Sequence, residues 1–285
     1  MKMRFRNMLG SREARGNAFY NIISVIIAVI FLFPIYWLLM MSFKSDAEIF
    51  SPILTYFPHD FTLEPWLLNI QDKEFFMSLR NSCIIATMSM CLSMIIGIPA
   101  AYGMGRYKVP GKRVMLLAFL VSQMLPPSLM LTPMYLIFNK MGLLGTFWAP
   151  VVAISSGSIP FIVVILRSYF NSIPRSLDDA ARIDGCNALQ SFFRIMIPAI
   201  KTGIITVAVI SFLGGWNDLA YSMTFNVMPE MRPLTANIYK FQSKYGTRWN
   251  AIMAYGAILV APVVLAFIFL QKYIVGGLTA GAVKE

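Results

Sequence analysis

Ile173-Pro174-Arg175-Ser176-Leu177-Asp178-Asp179-Ala180-Ala181-Arg182-Ile183-Asp184-Gly185-Cys186-Asn187-Ala188-Leu189-Gln190-Ser191-Phe192-Phe193-Arg194-Ile195-Met196-Ile197-Pro198 is a polar interruption in an otherwise apolar chain. Before it, Met141–Leu166 runs 26 residues without a charge, and after it Thr202–Phe225 is broken only by Asp218. Outward from there the pattern repeats. Twenty-eight uncharged residues separate Arg15 from Lys44, and Asn81–Gly105, Val114–Asn139 and Trp249–Gln271 are charge-free over 25, 26 and 23 residues. About 20 apolar residues carry a helix across a hydrocarbon core roughly 30 Å thick. The six segments therefore predict an all-α, polytopic membrane protein with six transmembrane helices. Composition agrees: 58% of the 285 residues are hydrophobic and only 13% are charged, against about 25% charged in soluble domains.

Basic residues precede the first apolar segment, as in a secretory signal. Its apolar part, Ala18–Met41, is longer than the roughly 7–15-residue core of a cleaved signal. No small-residue cleavage site follows at Met41-Ser42-Phe43-Lys44, so it reads as an uncleaved first span. With the N-terminus in the cytoplasm, that side carries 16 of the 24 Lys and Arg but five of the 13 acidic residues, and the other side carries eight of each. The formal charge of +11 then lies on one face, as the positive-inside rule expects. Because the membrane accounts for the basicity, nucleic acid is excluded as a partner.

Several reaction classes fall away on residue inventory. Cys83 and Cys91 lie in the second span and Cys186 in the polar loop, with no CxxC pair, and the only histidine, His59, lies in an external loop. Neither a disulfide framework nor a metal site is expected. No GxxxxGK[ST] phosphate loop is present, so no bound nucleotide or other cofactor is expected in this chain.

The polar loop itself reads as two short helices joined at a glycine. Pro174 suits a first turn, and Asp178 and Asp179 stand three or four residues from Arg182, a spacing that permits pairing. Gly185 is the expected left-handed stop. Asn187 with Gln190 resembles a capping box, and Pro198 marks the turn into the fifth span. An amphipathic helix resting on lipid would show lysines instead. The flat Ala180-Ala181 pair beside a few charges suits close docking against another protein.

The stretch resembles the EAA loop of ABC importer permeases, with Asp179-Ala180-Ala181 in the place of E-A-A and Gly185 at the glycine position. Asp for Glu keeps the charge and shortens the reach. The resemblance extends over nearly the whole chain, through Ser42-Phe43-Lys44, Arg106-Tyr107-Lys108-Val109-Pro110-Gly111, Met124-Leu125-Pro126-Pro127, Trp216-Asn217-Asp218 and Gly277-Leu278-Thr279-Ala280-Gly281-Ala282-Val283-Lys284. It points to the shorter permease of the maltose and glycerol-3-phosphate importer type. It implies the type I ABC importer permease fold, with a cytoplasmic tail at 1–16, a first transmembrane helix at 17–42, an external loop at 43–76, a transmembrane (type-1) domain at 77–272 containing a coupling loop at 172–198, and a cytoplasmic tail at 273–285. It also implies the partners: a second homologous permease, two ATPase subunits holding ATP and Mg, and an external solute-binding protein. The coupling residues would be Asp178, Asp179, Ala180, Ala181, Asp184 and Gly185, and the cargo a carbohydrate, or a solute such as glycerol-3-phosphate.

Translocation-path candidates are the polar residues near the spans: Gln123 beside the Pro126-Pro127 bend, and Trp216, Asn217 and Asp218. Ser155, Ser156 and Ser158 are further polar candidates for the same path, of which Ser155 and Ser158 equally suit hydrogen bonds between helices. An ion-coupled carrier would need intramembrane acidic or histidine relays, and only Asp218 is available. An intramembrane serine hydrolase would need a base, and no histidine lies in a span.

Overall fold

A computed structural model describes residues 2–226, 228–243 and 246–280, with side chains for 20–226, 228–242 and 246–271. The helices are α1 (Lys2–Ser42), α2 (Asp46–Ile49), α3 (Glu64–Gln71), α4 (Lys73–Arg106), α5 (Lys112–Gln123), α6 (Pro127–Lys140), α7 (Trp148–Ser172), α8 (Ser176–Ile183), α9 (Ala188–Ser191), α10 (Ile197–Ala199), α11 (Lys201–Trp216), α12 (Ala220–Phe225), α13 (Leu234–Asn237) and α14 (Trp249–Ala280). One small hairpin, β1 (Gln242–Ser243) with β2 (Gly246–Thr247), is antiparallel. The glycine-rich motif at the C-terminus continues past residue 280, outside the described residues.

Among the described residues four helices are long and apolar enough to span a membrane, and the number rises to six if each of two bent pairs is counted as one span. In one pair α5 and α6 meet at 102°, where Pro126 and Pro127 interrupt the helix and deny it backbone donors. In the other, Ala188–Ala199 meets α11 at 80°. A straight fifth span over Thr202–Phe225 is not what forms. The helix stops at Trp216 and restarts at Ala220, because the Asp218 carboxylate accepts hydrogen bonds from the Tyr221 and Ser222 amides and so caps a new helix.

The chain divides into two compact units. The first comprises residues 1–69 and 241–258. Its loop after α1 is held by charge turned inward. Lys44 is buried, donates to the Thr55 carbonyl and hydroxyl, and lies 5.4 Å from the Trp37 ring centroid. Glu48 accepts from the Thr55 hydroxyl and from the His59 and Asp60 amides. Burial alone would raise this carboxyl, but those bonds and the Lys44 charge outweigh it and bring it from 4.5 down to about 2. A depressed carboxyl stabilises the loop fully above pH 4.5 and loses that contribution as pH falls through about 2. Tryptophan fluorescence is therefore expected to hold steady on acidification to pH 4 and to change only toward pH 2. A Glu48→Gln variant should lack that acid limb; an unchanged acid transition in the variant would refute the assignment.

The second unit comprises residues 70–240 and 259–285. Here α4 lies against α7 and α11, and its buried residues include a row of small side chains: Ser78, Ser82, Ala86, Ser89, Ser93, Gly97, Ala101 and Gly105. Spacing of three or four residues keeps them on one face. Without a hydrophobic driving force in lipid, close backbone approach supplies helix association. A Cβ at Gly97 would stand 2.7 Å from Ile162, and one at Gly105 2.8 Å from Phe170. Around this seam Ile162, Leu166, Phe170, Phe192, Met196 and Val207 form the buried core.

Candidate functional site

The polar loop builds as two local structures. The α8 turn ends in the Schellman arrangement: Gly185 takes φ +77°, its amide donates to the Arg182 carbonyl at 3.1 Å, and the Cys186 amide donates to the Ala181 carbonyl at 2.9 Å. Two residues later Asn187 caps α9, accepting from the Gln190 amide at 2.8 Å while its own amide donates to Gln190 Oε1 at 3.0 Å. That is the reciprocal capping box. Pro174 precedes the helix proper, and its carbonyl accepts the Leu177 amide.

The acidic residues do not pair with Arg182. Asp178 pairs instead with Arg106 at the end of α4, because Asp178 and Ala181 share the inward face at three-residue spacing and Ala181 is buried. Arg106 is only 6% exposed. Its guanidinium also donates to the carbonyls of Phe170 and Ile173, at 3.1 and 2.7 Å, and to that of Pro174 at 3.4 Å. Arg175 returns the contact, donating to the Arg106 carbonyl at 2.8 Å. One buried arginine thus ties α8 and the end of α7 to α4. On the sequence Arg106 opens the Arg106-Tyr107-Lys108-Val109-Pro110-Gly111 motif but nothing there marks it as buried, since burial is not a local property.

The opposite side of the loop is left open. Asp179, Ala180, Asp184 and Gly185 are exposed, Asp179 makes no ion pair among the described residues, and Ile183 is 85% exposed. Leu177, Leu189 and Phe193 add apolar surface. Of the residues singled out by the sequence, Asp178 and Ala181 therefore face inward, and Asp179, Ala180, Asp184 and Gly185 face outward.

The path candidates gather more selectively. A cavity of about 630 Å³ lies between the α5–α6 bend, α7 and the α11–α12 break, and Gln123, Ser156, Ser158, Asn217 and Asp218 line it. The Gln123 amide donates to the Gly157 carbonyl at 2.7 Å. Asp218 is half-buried in the wall, its carboxylate also accepting the Ser222 hydroxyl at 2.7 Å. Trp216 is not among the lining residues: it is 2% exposed, and its indole donates to the Leu259 carbonyl at 3.2 Å. The bulky ring at the last helical position is turned into the packing, and its neighbours reach the cavity. Ser155 also faces inward, donating to the Ser89 carbonyl across to α4 at 3.2 Å.

Residues 93–279 match the family model described as binding-protein-dependent transport system inner membrane component. The diacetylchitobiose uptake system permease protein DasC of Streptomyces coelicolor is 28% identical over 273 residues, covering 96% of this chain and 99% of that protein. The trehalose/maltose transport system permease protein MalG of Thermococcus litoralis is 30% identical over 265 residues, covering 92% and 94%. Among solved structures, a chain of a bacterial ABC transporter involved in the import of the acidic polysaccharide alginate superposes with a TM-score of 0.79 at 22% identity, covering 90% of this chain and 95% of that one. The fold is that of a type I ABC importer permease.

Proposed function

The chain belongs to the family of binding-protein-dependent transport system inner membrane components, and we propose that it is the permease subunit of an ATP-driven carbohydrate importer. The carbohydrate assignment is supported by relatives named for diacetylchitobiose and for trehalose and maltose uptake. The single observation that carries the division of labour is the α8–α9 loop. It is pinned to the spans by Arg106 on one side and presents Leu177, Ala180, Ile183 and Leu189 on the other.

In this reading the exposed side seats on an ATPase subunit, and a second, homologous permease completes the path. ATP and Mg are held by the ATPases, and this chain hydrolyses nothing. Both termini lie in the cytoplasm, with the coupling loop at 172–198 on the same side, and an external binding protein delivers the sugar. Displacement of α8 passes through the guanidinium of Arg106 to α4 and α7. Those helices move the wall of the cavity that contains Gln123, Asn217 and Asp218.

Reconstitution tests the proposal. Uptake in proteoliposomes should require the ATPase subunits and be indifferent to ionophores; uptake persisting without them would exclude an ABC importer. The loop is tested separately by Gly185→Val. A β-branched residue at φ +77° costs about 1–3 kcal/mol, so roughly tenfold weaker co-purification with the ATPase is expected, with membrane insertion intact. If association and coupling both survive, the loop is not the docking element.

A further inference from the structure

The loop that follows α1 carries an apolar surface that neither the coupling loop nor the cavity uses. Ile49–Pro58 contains no charged residue, and Phe50, Ile53, Leu54, Tyr56 and Phe57 are each between 58% and 72% exposed. Two of the adjoining charges are turned away from that surface, whereas Asp60, beyond its far end, is exposed. Lys44 and Glu48 have side chains only 3% and 6% exposed, and both are engaged with Thr55 inside the loop.

The loop also folds back along the helix it leaves. Tyr36 donates its hydroxyl to the Tyr56 carbonyl at 2.8 Å and meets Phe57 edge to face, while Trp37 meets Tyr56 edge to face. Tyr36 lies six residues before Ser42, so the loop descends about 9 Å from the helix end. The spanning part of α1, Tyr20–Ser42, reaches a mean hydropathy of 2.8 over its most apolar 18 residues. Its 23 residues measure about 34 Å at 1.5 Å per residue, against a hydrocarbon core of roughly 30 Å. With the helix centred on that core, Tyr36 lies about 7 Å inside its edge, so Tyr56 and Phe57 sit within the roughly 5–10 Å to which an interfacial anchor buries its apolar face. The Thr55 and Tyr56 carbonyls are both occupied by donors.

We propose that the Phe50–Phe57 segment is a lipid-binding anchor, immersed in the headgroup–acyl boundary of the leaflet at the Ser42 end of α1. Depth, lack of charge and the inward turning of Lys44 and Glu48 together match a lipid surface.

Site-directed spin labelling of the intact transporter in phosphatidylethanolamine/phosphatidylglycerol vesicles tests this. A nitroxide at position 53 should collide more often with oxygen, which concentrates in lipid, than with a water-soluble nickel chelate. A nitroxide at the exposed Asp60 should show the reverse. Nickel dominance at 53 would mean a hydrated loop, and low access to both reagents would mean a protein partner; either overturns the proposal. Cys83, Cys91 and Cys186 must first be replaced for that labelling. If the replacement impairs assembly, a benzophenone amino acid at Ile53 in the otherwise native chain separates the same outcomes. A phospholipid adduct supports the anchor, whereas cross-linking to a protein subunit or no adduct rejects it.

Discussion

Arg106→Ala is expected to abolish coupling between ATP hydrolysis and uptake while leaving the chain in the membrane. The side chain is buried and holds three carbonyls and the Asp178 carboxylate at once. Truncation leaves all four without that donor, and breaking a buried ion pair from one side costs about 3–5 kcal/mol. The lower end, about 3 kcal/mol, applies here because Asp178 keeps partial water contact. That is more than a hundredfold in the population of a correctly seated α8. Arg106→Lys keeps the charge but cannot fork to several acceptors, so it should retain only part of the coupling. Asp178→Asn keeps a hydrogen-bond acceptor and should be milder still. The readout is uptake per ATP hydrolysed in proteoliposomes. Wild-type coupling in Arg106→Ala would show that α8 transmits force by another route.

The second large effect is expected at Gly215. A Cβ there would stand 2.7 Å from Ala86 Cα, which is backbone and cannot rotate away. Gly215→Ala must therefore push α11 off α4, and overpacking of this kind costs about 1–3 kcal/mol. Gly214 is the control, since a Cβ there meets nothing within 4 Å. Gly214→Ala should be neutral or stabilising by up to about 1 kcal/mol, because alanine is the better helix former. Thermal unfolding of the purified chain separates the two. Equal melting temperatures for both variants would mean that α11 has room to move away from α4 at little cost.

These two predictions rest on features of different legibility. Gly214 and Gly215 stand side by side in the sequence, but which of them meets a neighbour cannot be read there. That depends on the rotation of α11 about its axis, which adjacent residues cannot report. The row of small side chains on α4 was present at three- and four-residue spacing from Ser78 to Gly105. Against the uniformly apolar background of a span it carried little contrast, since hydropathy does not distinguish a lipid-facing side from a packed one. Arg106 was masked in another way. Surface arginines at helix ends are common, and only the carbonyls at the end of α7 mark this one as buried.

The sequence by itself determined whatever depends on neighbours within about four positions or on the length of an apolar run. Charge-free segments of 23 or more residues dictated spanning helices, because lipid leaves the backbone no partner but itself. The Gly185 stop and the Asn187–Gln190 cap followed from local hydrogen-bond geometry. The break of the 173–198 stretch into two helices followed with them. Tertiary structure alone decided the long-range choices. It set Asp178 against Arg106, 72 residues away, in place of the nearby Arg182. It turned Trp216 into the packing and left Asn217 and Asp218 at the cavity. The physical reason is common to both. A helix offers its side chains to every direction around its axis, and only the helices packed against it decide which of them meet protein and which stay open.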